Sequence, residues 1–445
     1  KIASASTKSR FEKIKALNTE YKRYPLHNSN AFDTLSLRKI EVNKLQYYNK
    51  DYVIGKMNNL ISGCVTFDQL EEGINSLNAT QNFTGINYRF IKYADTEEDV
   101  LVINLVESPH YRFIKFGLHY DHLYKSSVLL NVTQKKVFFK NDISSLDFIV
   151  GDNVRYTFNY FLDNGFRWSY GFQSRFNQFN KNIRSKTHGL ITDLSFKPDI
   201  YSATFADLSN RIYLQNYYRN KFQIGLGLEH KYQLVDVDNI SSSNAWVDNS
   251  HYVIPYFSII LDTYDNKYFP TKGVKFNTEL RHYAWSSDYN KNFSPFSQIT
   301  TEFGVTKNVM RNLSIEGVAS MGLTIGSEPS SNHQYYHGGY GFEGLHNIKQ
   351  FFGYGVMSLN ADTYLKLLLR LDYRFNKNHH VNISANFAQM QNSMFESTDW
   401  IKLPTYTGYA LGYGIQTIIG PVEIKQSYSP ETQKSYTWFG VGFWF

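Results

Sequence analysis

The sequence predicts a transmembrane antiparallel β-barrel of about 16 strands over residues 109–445, preceded by one small α+β domain. Three observations predict it. Aromatic residues make up 17% of the chain, with 35 Tyr and 34 Phe, and aromatic girdles at two membrane interfaces use rings on that scale. From Pro109 onward, apolar and polar residues alternate with a period of two, the repeat of a strand with two unlike faces. Longer and shorter connections alternate between these segments, as loops on one side of a membrane and turns on the other do.

The alternation is plain in several segments. Gly273–Tyr283 places Val274, Phe276, Thr278 and Leu280 on one face, with Lys275, Asn277, Glu279 and Arg281 on the other. Leu365–Arg374 sends Leu365, Leu367, Leu369, Leu371 and Tyr373 one way, and Lys366, Arg370, Asp372 and Arg374 the opposite way. In His380–Phe387, Asn382, Ser384 and Asn386 alternate with Val381, Ile383, Ala385 and Phe387. An Arg or Lys facing mid-bilayer lipid costs about 2–4 kcal/mol. The apolar face therefore meets lipid and the charged face lines a wet interior. Glu279, Arg281, Arg370, Asp372 and Arg374 read as a ladder of ion pairs bracing that lumen.

Candidate strands begin near 110, 125, 143, 154, 166, 207, 221, 252, 273, 297, 313, 361, 379, 406, 421 and 435. Short turns fall at 163–165, 218–220, 309–312, 376–378 and 420–421. Longer polar connections span 180–206, 234–250, 286–296, 326–360 and 391–405. An even strand number returns both barrel ends to the side that holds the small domain. A soluble sandwich or propeller also uses many rings, but it gives no reason for loop length to alternate.

Residues 1–34 read as a linker helix and connector, with Phe11, Ile14 and Leu17 at helical spacing and Tyr24-Pro25 as the stop. Residues 35–108 read as the small domain. Leu37–Val42 is a strand, and Asn49 caps a helix carrying Tyr52, Val53, Lys56 and Met57. Thr66 and Gln69 form a capping box before a second helix with Leu70, Ile74 and Leu77 on one face. The strands Ile86–Ile91 and Val100–Val106 follow, separated by the acidic turn Asp95–Asp99, giving the order β-α-α-β-β. Lys1 opens no signal-peptide pattern, so export requires either a removed signal or a segment further upstream.

Several function classes find no support. The net charge is +7, yet no Lys/Arg run is interleaved with a nucleic-acid-binding motif. No apolar run of 18 residues exists to form a transmembrane helix. Cys64 is the single cysteine, and neither His379-His380 nor His119/His122 has a set of partner ligands, so no metal and no cofactor is expected. The chain contains no Gly-x-Ser-x-Gly, Asp-Gly, His-Glu-x-x-His or phosphate-loop pattern. No catalytic residue is assigned.

Local features then converge on one superfamily. The small domain, by its element order, resembles a POTRA domain and joins the barrel directly. Asp265-Asn-Lys-Tyr-Phe-Pro270-Thr-Lys-Gly273 resembles the D-x-R-x-x-x-P-x-x-G turn of BamA/TpsB-type barrels, and Gly420-Pro421-Val422 their G-P-[IL] turn before the penultimate strand. The end of the sequence, Gly440-Val-Gly-Phe443-Trp-Phe445, is similar to the signal read by the barrel assembly machinery, with Trp438 where a polar residue is usual. The longest loop, 326–360, carries Tyr335-Tyr-His-Gly338-Gly339-Tyr-Gly-Phe-Glu343-Gly344-Leu345 and then Phe352-Gly353-Tyr354. It stands where the family's loop folds into the lumen and ends in R-G-[FY]. Either Glu343-Gly344-Leu345 or Phe352-Gly353-Tyr354 is the equivalent tip. Neither has the arginine, and Phe387-Ala388 stands where the family's F-x-D partner is expected.

The combination looks most like the POTRA-plus-barrel part of bacterial patatin-like phospholipases, covering residues 35–445. Leu70-Glu-Glu-Gly-Ile74, Asn82-Phe83 and Tyr335-Tyr-x-Gly-Gly-Tyr340 are similar to phrases of its Bacteroidota members. The resemblance implies an outer-membrane barrel with the small domain in the periplasm, anchoring or exporting an N-terminal lipase effector. It equally leaves open an assembly or two-partner-type secretion translocase, or a passive pore. The implied partners are outer-membrane lipid and lipopolysaccharide, the barrel assembly machinery during biogenesis, and the chain's own effector or a client polypeptide. A homodimer is compatible with the sequence.

Overall fold

The computed structural model describes residues 34–57, 63–92, 99–184, 200–218, 221–237, 246–289, 291–342, 347–392 and 403–442. The expected linker helix and most of the acidic turn lie outside these residues.

The small domain runs β1 (Thr34–Val42), α1 (Lys50–Lys56), β2 (Gly63–Thr66), α2 (Phe67–Ala79), β3 (Phe83–Lys92) and β4 (Asp99–Glu107). Its sheet order is β2-β1-β4-β3, with β1 parallel to β4. The order is therefore β-α-β-α-β-β: a four-residue strand between the helices was not read from the sequence, being too short to show a period. Both predicted caps are present. The Asn49 side chain accepts from Tyr52 N at 2.8 Å, and Thr66 and Gln69 satisfy each other's backbone amides at 3.2 and 3.1 Å. Leu70 and Leu77 of α2 pack with Val53, Met57, Leu37, Leu101 and Ile103 in one core.

The remaining strands close a barrel: β5 (Arg112–Asp121), β6 (Lys125–Lys135), β7 (Asp142–Gly151), β8 (Arg155–Leu162), β9 (Ser169–Arg184), β10 (Ile200–Tyr218), β11 (Phe222–Val237) and β12 (Trp246–Asp262). Next come β13 (Gly273–Tyr283) with its continuation β14 (Trp285–Ser286), β15 (Phe296–Met310) and β16 (Leu313–Gly326). A long loop carries the short strands β17 (Tyr335–His337), β18 (Ile348–Lys349) and β19 (Leu359–Ala361). Then follow β20 (Thr363–Asn376), β21 (His379–Gln391), β22 (Tyr406–Thr417), β23 (Gly420–Ser429) and β24 (Lys434–Val441). Counting β13 and β14 as one, 16 antiparallel strands form the wall.

The two faces sort as the period-two reading requires. Leu367, Leu369 and Leu371 are exposed on the outer wall while Asp372 is buried inside. Val381 and Ile383 face out, whereas Asn382, Ser384 and Asn386 are each 2 % exposed or less. Most strands begin within three residues of the expected positions. β10 and β12 begin six or seven residues earlier, at Ile200 and Trp246. Their first residues include Ser202, Thr204, Asn249 and Ser250; beyond the apolar belt a strand needs no greasy face, so the alternation lapses there. Connection length is also less regular than expected. The links at 122–124, 152–154 and 430–433 are short although they lie on the side of the long loops, and the turn at 263–272 is long.

The small domain is seated on the barrel's turns. Tyr47 O accepts from Asn141 N and Asn141 Oδ1 accepts from Asn49 N, both at 3.0 Å. Lys56 pairs with Asp163 at 2.6 Å and Arg167 with Asp51 at 2.9 Å. Lys135 Nζ donates to Asn82 Oδ1 at 2.6 Å, and Asn82 in turn donates to the buried Tyr52 hydroxyl. At the centre the two backbones touch: a Cβ on Gly55 would lie 2.5 Å from Gly165 Cα and 2.7 Å from Phe166 N. Gly55→Ala should therefore unseat the domain at a cost of about 1–3 kcal/mol. Limited proteolysis at the 108–111 joint should accelerate, while the heat-resistant gel migration of the barrel stays as in wild type.

Candidate functional site

The loop between β16 and β20 folds into the lumen. Tyr335, Tyr336, Phe342, Phe351 and Met357 are each no more than 1 % exposed. Gly338 (φ +136°) and Gly339 (φ +76°) adopt backbone conformations that side chains disfavour, and a Cβ on Gly339 would press on the Phe342 ring. Phe352-Gly353-Tyr354 docks on the wall. Phe352 N donates to Asn386 Oδ1 at 2.7 Å, and the Tyr354 hydroxyl donates to Glu431 at 3.1 Å. A Cβ on Gly353 (φ +79°) would lie 2.8 Å from the Tyr428 carbonyl and from Ser429 Cβ. Glu343 and Gly344 lie outside the described residues.

The resemblance placed an arginine on this loop; the loop has none, and the polarity is reversed. The cation comes from the wall. Lys425 of β23 is 1 % exposed, and its ammonium lies 4.3 Å from the Tyr340 ring centre and 5.4 Å from that of Phe352. Glu423 accepts from the Tyr340 hydroxyl at 2.8 Å. Asn386, on the strand where an aspartate was expected, takes the loop's backbone amide instead. Its position one residue before Phe387 hid it from a search for F-x-D.

The predicted lumen charges separate into groups. Arg281, 2 % exposed, pairs with Glu229 at 2.7 Å and lies 3.7 Å from Glu279. Arg211 bonds Glu229 at 2.8 Å and Glu279 at 3.3 Å, and Ser209 donates to Glu229 at 2.8 Å. Arg370 pairs with Glu316 at 3.3 Å, and Asp372 with His380 at 2.7 Å. Arg374 is exposed at the end of β20 and joins no ion pair among the described residues. One continuous ladder is thus not what forms, because β15 and β16 stand between β13, which carries Glu279 and Arg281, and β20, which carries Arg370, Asp372 and Arg374. Arg211, Glu229 and Glu316 were missed. The strand parity that placed Glu279 and Arg281 inside would have found them, had it been applied to β10, β11 and β16.

The turn before β13 closes the lumen at the small-domain end. Asp265 accepts from Thr271 N at 2.8 Å, Thr271 Oγ1 at 2.5 Å and Lys272 N at 3.2 Å. Asn266 accepts from Tyr268 N and Phe269 N at 2.9 and 3.1 Å. These bonds drive Phe269, 2 % exposed, onto the His380 ring at 4.1 Å, while Gly273 takes a φ of +125° to start the strand. Partial burial would raise the Asp265 carboxyl, but the Thr271 and Lys272 bonds outweigh it and hold it below its ordinary value. That contribution is present above the unfolded-chain value and lost as pH falls through the lowered folded one. Acid titration of barrel stability should show a wild-type decline in that range that Asp265→Asn lacks.

The wall closes where β24 meets β5. Val441↔Tyr120 is a registered pair of this seam. Ring contacts, Tyr120–Phe439 at 5.9 Å and His122–Trp438 at 4.9 Å, also bridge it. Gly440 lies in β24 beside the seam; Phe443 and Phe445 lie outside the described residues. Trp438 is buried and donates from Nε1 to Ser427 Oγ at 2.9 Å, which explains a ring where a polar residue is usual: it faces the lumen and still finds an acceptor. No group of three or more His, Cys, Asp and Glu among the described residues is placed to hold a metal ion.

A closed 16-strand wall, a lumen filled by its own loop and a small α+β domain at one end define an outer-membrane barrel of the POTRA-plus-barrel class. The profile of the OMP85 superfamily matches residues 99–445, and the chain belongs to that superfamily. BamA from Haemophilus ducreyi lacking POTRA domains 1–3 superposes with a TM-score of 0.61 at 14% identity, covering 92% of this chain and 84% of that one. CdiB from Acinetobacter baumannii gives 0.56 at 12% identity over 92% and 74%. CdiB from Escherichia coli gives 0.51 at 8% identity over 99% of both chains. At such identities the likeness concerns the fold. No curated protein matches the chain.

Proposed function

We propose that this chain is an outer-membrane factor for polypeptide assembly or secretion, which receives a client segment at its small domain, in the periplasm, and releases it through the β24–β5 seam. The observation that carries this reading is the closed wall of the OMP85 superfamily, whose last strand meets its first at the β24–β5 seam. The outer edge of β3 adds support. Among the described residues that strand pairs only with β4, and Tyr88 and Ile91 on it are exposed, a surface suited to strand addition by an extended client. Depleting the protein and quantifying outer-membrane and secreted polypeptides tests the reading. A selective fall of one or more of them is expected; unchanged levels contradict it.

The tight seating of the small domain favours a second reading, the anchoring of an upstream effector. A domain fixed by the Lys56–Asp163 and Asp51–Arg167 pairs and by the Gly55–Gly165 contact holds whatever precedes it at a constant place beneath the barrel. The patatin-like resemblance names the effector as a lipase. The coding sequence upstream of Lys1 decides: this version requires Gly-x-Ser-x-Gly there, and a signal peptide directly before Lys1 rules it out.

A further inference from the structure

Between the folded-in loop and the turn at 263–272, the lumen holds a chamber of about 410 Å³, bounded on the loop side by aromatics such as Phe352 and on the turn side by Tyr264 and Pro270. Its charges do not balance. Lys275 pairs with Glu302 at 2.9 Å and Arg370 with Glu316 at 3.3 Å, and Asp262 and Lys267, which also line it, offset one another. Two ammonium groups are left over. Lys366 of β20 makes only a 3.3 Å bond to the Gln350 carbonyl, and Lys349 of β18 has neither an ion-pair nor a hydrogen-bond partner for its side chain among the described residues. Glu302, already paired with Lys275, is the carboxylate that attracts both most strongly, so one anion is shared among three lysines. A buried cation whose counter-charge is shared in this way is costly.

We propose that this chamber binds a phosphate-bearing anion, with Lys349 and Lys366 as its donors. The surplus of two positive charges matches a phosphate monoester dianion, whose several oxygens accept from both ammonium groups together. The volume admits a phosphate with a compact substituent. Lys349 belongs to the loop and Lys366 to the wall, so the anion ties one to the other and adds to the loop's retention in the lumen. Free phosphate monoesters and the monoester phosphates of some lipid headgroups carry the same group.

The full chain, purified in detergent, is titrated calorimetrically with inorganic phosphate against chloride at equal ionic strength, and its mass is measured on release from native membranes. Wild type should bind phosphate saturably or carry a phosphate-bearing lipid adduct; the adduct assigns the lipid source, and its absence with saturable binding assigns the soluble one. Lys349→Met and Lys366→Met should each weaken binding at least tenfold or strip the adduct, and Lys349→Arg should retain it. Lys349 lies in the loop, so its variants leave the wall strands untouched, and heat-modifiable gel migration verifies the barrel. Neither adduct nor saturable binding in wild type, or equal binding by both Met variants, overturns the proposal.

Discussion

Glu229→Ala should lower the barrel's stability by about 3 kcal/mol or more, the cost of stranding a buried cation. Glu229 is the shared acceptor for Arg281 at 2.7 Å and Arg211 at 2.8 Å, and both Glu229 and Arg281 are only 2 % exposed. Glu279 remains near both arginines, at 3.7 and 3.3 Å, but one carboxylate then serves two guanidinium groups. Removing the charges together should cost less than removing one, so Glu229→Leu with Arg281→Met should recover part of the loss. The midpoint of heat-modifiable migration, compared among the single and double variants, measures both effects. An unchanged midpoint for Glu229→Ala would show that the cluster is solvated and unimportant to the wall.

Locking the seam should abolish client handling altogether. With exposed Cys64 replaced by serine, Tyr120→Cys and Val441→Cys put two thiols at a registered pair that joins β24 to β5. Oxidation should stop assembly or secretion of the client identified by depletion, and reduction should restore it. The barrel's gel migration should be the same in both states. Full activity in the oxidised form would mean that the polypeptide takes another route.

The wall was legible in the sequence because the bilayer enforces a rule on every second residue: wherever a strand crosses lipid, as in Leu367–Leu371 or Val381–Ile383, apolar exposure is compulsory and the period is unmistakable. Beyond the lipid the rule lapses, and the early residues of β10 and β12 were read as loop. The helix caps at Asn49 and Thr66 were legible for a different reason, since orphan amides at a helix start demand particular side chains within three residues. Pairings inside the lumen were not. Glu229 meets Arg281 across 52 residues of chain, and Lys425 reaches Tyr340 from another strand, so no local spacing records either. The docking of Phe352-Gly353-Tyr354 was not legible either, because its partners, Asn386 and Ser429, come from β21 and β23.

The wall depends on the outward turn of apolar residues and the inward turn of charged ones. Nitroxide labels placed singly at each position from Leu365 to Tyr373, in a Cys64→Ser chain reconstituted in vesicles, test it most directly. Collision with lipid-soluble oxygen should peak at 367, 369 and 371, and collision with a water-soluble relaxing agent at 366, 370 and 372, in strict alternation. Equal access of both agents to both sets of positions would contradict a lipid-facing wall, and with it the barrel.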